Sequence, residues 1–178
     1  MSKKIVIIAA TSLDGVIGID EKIPWRIPED FKHFRETTMG HTLVVGYKTY
    51  LTLPPKAFDG RKYLILNSDI ESDVCYDRGR VDIPTSDVVQ FKSINLLMEH
   101  VDLLQDDEIF IIGGESVYNQ FINECDECII TLVNKTVPNG NKLFPIGILN
   151  EKFHVYEDYD WCLSSTGTMY KIMKYIKK

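Results

Sequence analysis

The chain carries an aspartate among phenylalanines near its thirtieth residue. Pro28 suits the first turn of a helix, Glu29 and Asp30 suit its positive end, and Gly40 suits its stop, so a helix is expected from about residue 28 up to Gly40. Ile27, Phe31 and Phe34 stand at i, i+4 and i+7 and make one apolar stripe. Asp30, three residues after Ile27 and four before Phe34, shares that stripe. A carboxylate there loses hydration and its pKa rises, which suits a group that binds a protonatable heterocycle or relays a proton. The same spacing also suits a first-turn aspartate answering the helix dipole, and the helix alone leaves both readings open.

Three junctions add candidates. In Ile112-Gly113-Gly114-Glu115-Ser116-Val117-Tyr118 an apolar strand ends in a glycine pair and a helix begins. Backbone amides at such a turn can cradle a pyrophosphate, although paired glycines are also an ordinary turn and this is not the Gly-x-Gly-x-x-Gly fingerprint. Gly46-Tyr47-Lys48-Thr49 repeats the arrangement, with Lys48 and Thr49 able to hold phosphate by charge and hydroxyl, although a lysine so placed is more often simply solvated. Two such junctions in one chain point toward a dinucleotide. Arg61, in Gly60-Arg61-Lys62, enters a strand and can fork onto a carboxylate; most arginines so placed are simply exposed.

The elements that must position these groups follow from apolar patterning. Strands are expected at 4–10, 42–46, 62–66, 73–76, 87–91, 108–112 and 127–133, with two long tail strands at about 152–160 and 165–176. Helices are expected after Pro28, at 47–52, at 94–104 behind a Ser93 cap, and at 115–123. Residues 11–27, with Gly15, Gly18 and Pro24, read as a long functional loop. Alternating strands and helices imply a largely parallel sheet covered on both faces, with the helix-free tail strands pairing antiparallel at an edge. Ligands in such sheets bind at the carboxyl ends of strands, where strand order switches.

Bulk properties narrow the function. The chain has 178 residues, 44% of them hydrophobic, which suits one domain with a packed core. The net charge of -6 and the lack of a basic stripe argue against nucleic acid. No apolar run approaches the roughly 20 residues that span a bilayer, and the short run after Lys3-Lys4 reads as a buried strand rather than a signal peptide, so the cytosol is expected. Cys125 and Cys128 have metal-like spacing without a second ligand pair, and the histidines are scattered; Cys75, Cys125, Cys128 and Cys162 are expected as buried or partly buried free thiols.

Together these pieces resemble the dihydrofolate reductase family, in order and spacing from residue 5 to about 145, with a compatible tail. Ala9-Ala10 through Asp14-Gly15-Val16-Ile17-Gly18 looks like the family's first strand and the start of its mobile active-site loop. Ile23-Pro24-Trp25, followed by Ile27-Pro28-Glu29-Asp30-Phe31, matches its most specific motif. By that resemblance Trp25 lies near nicotinamide and substrate, Asp30 binds the pterin amino group and ring nitrogen, and Thr131 supports Asp30. Phe31, Phe34 and Leu53 would line the pterin and benzoyl pocket, Ile8 and Ile112 would offer backbone carbonyls, and Arg61 would hold the α-carboxylate of the glutamate tail. Ala10, Ile17, Gly18, Gly46, Lys48 and Thr49 would lie on the cofactor side, as would Asn67, Ser68, Gly113, Gly114, Glu115, Ser116 and Tyr118.

The resemblance implies a predominantly parallel twisted α/β sheet of about eight strands with an antiparallel C-terminal edge hairpin, flanked by about four helices, in a single domain over 1–178. It implies an oxidoreductase that reduces 7,8-dihydrofolate to 5,6,7,8-tetrahydrofolate with NADPH, by hydride transfer to C6 and protonation of N5, in thymidylate and one-carbon metabolism. A monomer that binds dihydrofolate and antifolates such as methotrexate or trimethoprim is expected, with no metal, membrane or nucleic acid. Some positions depart from the family pattern. Tyr47 and Ser116 stand where basic residues are common, leaving Lys48 to supply charge, and Asn141 stands where some bacterial members hold the active-site loop with an aspartate. A pyrimidine reductase of the same fold is disfavoured by Trp25, Asp30 and Arg61; a binding protein without turnover is disfavoured by the intact Trp25, Asp30 and Thr131 set.

Overall fold

A computed structural model describes residues 2–76, 80–83 and 88–178. Its central sheet has ten strands. β1 (Lys4–Ser12) lies in the middle, parallel to β7 (Glu108–Ile111) on one side and to β8 (Glu127–Val133) on the other. Beyond β7 come β3 (Thr42–Gly46), β4 (Lys62–Leu66) and β6 (Val88–Phe91), all parallel, and then β5 (Val74–Tyr76), antiparallel. Beyond β8 come β12 (Met169–Lys177) and the edge strand β10 (Phe153–Asp158), both antiparallel, with the short β11 (Cys162–Leu163) also on β12. Strand order switches around β1, as expected for a ligand crevice at the carboxyl ends.

Alternation along β1 assigns the two layers of core. Val6 and Ile8 point to the face that carries α1 (Pro28–Thr38) and α2 (Tyr47–Thr52), while Ile5, Ile7 and Ala9 point to the face that carries α3 (Ile94–Asp102), α4 (Glu115–Phe121) and α5 (Ile146–Lys152). Leu97 and Val101, four apart on α3, are both fully buried. Each contributes about 1.5–3 kcal/mol of apolar burial. Ser93 caps α3 by accepting from the Leu96 amide, as expected. The strands at 42–46, 62–66 and 127–133 lie where patterning puts them. The strand expected at 87–91 is found from residue 88; position 87 lies outside the described residues.

Several expectations are corrected. The sheet is larger than about eight strands, and among the described residues there are five α-helices plus a short 3-10 helix, rather than four. α3 ends at Asp102 and α4 at Phe121, so both helices are shorter than the expected 94–104 and 115–123. The 11–27 segment is not wholly loop: β1 runs on to Ser12, and β2 (Val16–Gly18) pairs with β9 (Lys142–Leu143). Segments of two or three residues carry no readable period, and these are made by tertiary pairing alone. α5 was missed because Gly147 interrupts a short pattern, and its stability comes from docking Leu149 into the core. The expected strand start at 165 is instead a tight turn, closed by the Ser164 amide on the Thr168 carbonyl, with Gly167 in the left-handed region. The four cysteines are free, but Cys162 is exposed rather than covered. No described helix is long and apolar enough to cross a membrane.

Candidate active site

The carboxyl ends of β1, β3, β7 and β8 open into one cleft of about 970 Å³. Asp30 resolves the ambiguity left by its helix. Ile27 is the N-cap residue and contributes no side-chain cap, and the Asp30 carboxylate does not turn back on its own helix. Its Oδ1 instead accepts from the Thr131 hydroxyl of β8 at 2.6 Å. Burial pushes the Asp30 carboxyl above its ordinary range, opposed by the Thr131 hydrogen bond and by His33. Thr131 is itself buried and aligned with Ile172 of β12, so the partner of Asp30 is held by the sheet.

The expected substrate side assembles around this pair. Ile8, Phe34, Leu53 and Ile112 line the cleft with Trp25, and Phe31 stands half-exposed at its mouth. Arg61 does not line the cleft. It is 3% exposed and lies behind Phe34, whose ring centroid is 6.0 Å from the guanidinium. Its Nε donates to Thr38 Oγ1 at 2.8 Å, and its terminal nitrogens donate to the Asp59 and Arg35 carbonyls, each at 2.6 Å. It forms no ion pair among the described residues, so the strand-entrance arginine is neither simply exposed nor neutralised by the protein.

The expected cofactor side forms the other end. Ala10, Ile17 and Gly18 line it with Gly46, Lys48 and Thr49. Asn67 and Ser68 come from the end of β4, and Gly114, Glu115 and Ser116 from the start of α4. The two glycine junctions are stitched together: the Gly46 amide donates to the Gly113 carbonyl at 2.8 Å. Gly113 lies beneath the wall, with φ +105, and a Cβ on it would stand 2.9 Å from the Tyr118 ring. A Cβ on Gly114 would meet Thr49 Oγ1 at 3.0 Å. A bare backbone is required here, and it leaves a cradle suited to a pyrophosphate. Gly113→Ala therefore costs roughly 1–3 kcal/mol. The expected result is a lower Tm together with a higher Kd for NADPH by fluorescence titration.

Tyr118 belongs to the same cleft. It lines the cleft floor but is buried, and its hydroxyl donates to the Ile8 carbonyl at 2.9 Å. That carbonyl keeps a second lone pair for a ligand. Burial pushes the Tyr118 phenol well above its usual range, so it remains a donor. Lys92 was missed. It projects into the same cleft as Asn67, Ser68 and Lys48 and adds a cation near positions where Tyr47 and Ser116 supply none. Its signal was its place directly before the Ser93 cap, where a strand hands over to a helix.

The loop over the cleft is anchored at both ends. The Asp14 carboxylate accepts from the Ser12 hydroxyl and from the Val137 amide, which holds its pKa down. Asn141 accepts from the Asp20 amide at 2.7 Å and donates to the Asp20 carboxylate at 2.8 Å, and the Leu143 amide donates to Glu115. The residue that departs from the family pattern therefore holds the loop with a neutral amide. A Cβ on Gly140 would lie 2.3 Å from a Val16 methyl. Gly140→Ala forces β2 off β9 at a cost of about 1–3 kcal/mol. Faster hydrogen exchange at Val16 and Gly18, with a lower kcat, is the expected result.

A family model described as dihydrofolate reductase matches residues 4–175. The dihydrofolate reductase of Mycobacterium tuberculosis is 32% identical over 173 residues, 95% of each chain. That of Mycoplasma genitalium is 33% identical over 131 residues, 74% of this chain and 77% of its own. A solved dihydrofolate reductase from Enterococcus faecalis, complexed with NADP(H) and RAB-propyl, superposes with a TM-score of 0.79 at 23% identity, covering 98% of this chain and 96% of that one; at this identity the likeness speaks for the fold. With the match spanning nearly the whole chain, and with Asp30 and Thr131 paired in the cleft, this protein belongs to the dihydrofolate reductase family.

Proposed function

We propose that this chain reduces 7,8-dihydrofolate to 5,6,7,8-tetrahydrofolate with NADPH, and that Asp30 is the carboxylate that holds the pterin. The Thr131–Asp30 hydrogen bond carries the reading. It takes Oδ1 and leaves the rest of the carboxylate for the amino group and ring N–H of a pterin. Ile8 and Ile112 offer carbonyls to the same amino group, while Phe31, Phe34 and Leu53 enclose the apolar remainder. The glycine cradle, Thr49, Lys48 and Lys92 fit a dinucleotide phosphate chain, and Trp25 lines the same cleft. NADPH, when bound, supplies the hydride for C6.

The protein's own part is placement and field. Holding both reactants in one cleft removes much of the entropic barrier. The negative charge of Asp30 favours a proton arriving at N5 through water rather than by direct transfer. The 11–27 segment, tied down by Asn141 and β9, excludes bulk water while the proton is gained. We take a monomer in the cytosol as the working unit. The same pocket suits antifolates with a protonated diaminopyrimidine or pteridine ring. Loss of NADPH absorbance on adding dihydrofolate tests the reading. Absence of turnover alongside tight methotrexate binding would sink it in favour of a binding protein.

A further inference from the structure

Glu115 joins the glycine cradle to the loop that covers the cleft. Its backbone opens α4 directly after Gly113 and Gly114, and it lines the cleft. Its side chain leaves the cradle: Oε1 accepts from the Leu143 amide of β9 at 3.1 Å. Among the described residues Glu115 forms no ion pair, so the carboxylate keeps its full charge. The hydrogen bond is exposed to solvent, and it breaks and re-forms without disturbing the core.

β9 is thereby held from two directions. The flanking Asn141 and Phe144 amides donate to the Gly18 and Gly15 carbonyls, at 3.2 and 2.9 Å, which fastens β9 to β2 and the 11–27 segment. The Leu143 amide between them goes to Glu115 instead. The place of the carboxylate therefore depends on β9. With β9 paired to β2, Glu115 is drawn aside to Leu143. With β9 released, the same carboxylate stays beside the cradle, whose bare amides attract any anion. There it competes with a dinucleotide phosphate for those amides and repels it.

We propose that Glu115 is a positioning residue that couples cofactor binding to closure of the 11–27 segment. In the closed arrangement β9 holds its carboxylate away from the phosphate cradle; in the open one that carboxylate weakens the cradle's grip. This rests on the reading of the glycine cradle as the NADPH phosphate site. By linkage the effect is reciprocal, so bound NADPH favours the pairing of β2 with β9. The sign follows from charge alone: a neutral side chain at position 115 that still accepts from Leu143 keeps the clamp and loses the coupling.

A double-mutant cycle tests this, with NADPH affinity read by fluorescence titration and amide exchange read by NMR. Asn141→Ala removes the side-chain tie to Asp20 and loosens the clamp. In the parent background it should raise the Kd for NADPH by roughly 5-fold. In Glu115→Ala and Glu115→Gln backgrounds it should raise it by less than about 2-fold, because no charge is released beside the cradle. A Glu115 that merely braced β9 would behave otherwise: Gln still accepts from Leu143, and its Asn141→Ala penalty would equal the parent's. In the free protein, exchange at Leu143 should quicken in Glu115→Ala and stay at the parent rate in Glu115→Gln. Equal Asn141→Ala penalties in all backgrounds would overturn the coupling, and so would unchanged Leu143 exchange in Glu115→Ala. Exchange in the free protein needs no cofactor, which separates the two readings. If it behaves as expected and the parent fails to bind NADPH, the cradle reading falls and the coupling with it; if NADPH binds and the penalties are equal, the coupling alone falls.

Discussion

Asp30→Asn lowers hydride transfer by roughly 10²–10⁴-fold at neutral pH while making the fold more stable. The loss is of the size expected when a positioned acid–base group is removed. An amide still accepts from Thr131 and still fills the space, so the geometry survives and only the charge is lost. Single-turnover NADPH oxidation at saturating dihydrofolate isolates the step, and near-normal rates would end the role assigned to Asp30. The gain in stability follows from the same burial. Its folded pKa lies above the ordinary carboxylate range. The associated stability is therefore fully present below the unfolded pKa and is lost as pH rises through the folded pKa. At neutral pH the parent carries a buried anion that the amide does not. A gain of about 1 kcal/mol, or roughly 2–4 °C in Tm, is expected at pH 7, shrinking as the pH falls into the window where the parent protonates. A lower Tm for the variant at pH 7 would contradict the desolvation argument.

Arg61→Leu is expected to weaken dihydrofolate binding by roughly 2–4 kcal/mol, about 30- to 700-fold in Kd, with a much smaller effect on NADPH. The Arg61 guanidinium forms no ion pair among the described residues, and hydrogen bonds to Thr38, Asp59 and Arg35 hold it behind Phe34. The structure adds a second consequence that the sequence did not suggest. Arg61 satisfies the Thr38 hydroxyl and the Arg35 and Asp59 carbonyls, so its loss also costs about 1–3 kcal/mol of folding stability. Dihydropteroate, which lacks the glutamate tail, separates the effects. Its affinity should be nearly the same for parent and variant if Arg61 serves the tail, whereas an equal loss for both ligands would mean that Arg61 only supports the α1 end of the cleft.

Much of the site was legible because it depends on short-range rules. The Pro28 start, the Ile27–Phe31–Phe34 stripe and the Gly46 and Gly113-Gly114 junctions are local patterns, and each landed on the cleft or directly beneath it. Strands over 42–46, 62–66 and 127–133 were readable because they are continuous buried runs. What escaped was set by contacts between distant segments: β2 on β9, α5 docking through Leu149, and Lys92 brought to the same cleft as Asn67. Such contacts leave no period behind in the chain.

Asp30 shows the division most clearly. By itself the sequence determined that a carboxylate lies on an apolar stripe at a helix start, and its neighbours Trp25, Phe31 and Phe34 pointed to a family. Local spacing is set by helical geometry, so that much needs no fold. Only the tertiary structure decided that the carboxylate faces β8 instead of its own helix end, with a hydroxyl from Thr131 on one oxygen. The reason is distance along the chain: Thr131 is separated from Asp30 by 101 residues, and only the parallel pairing of β1 with β8 places it beneath α1.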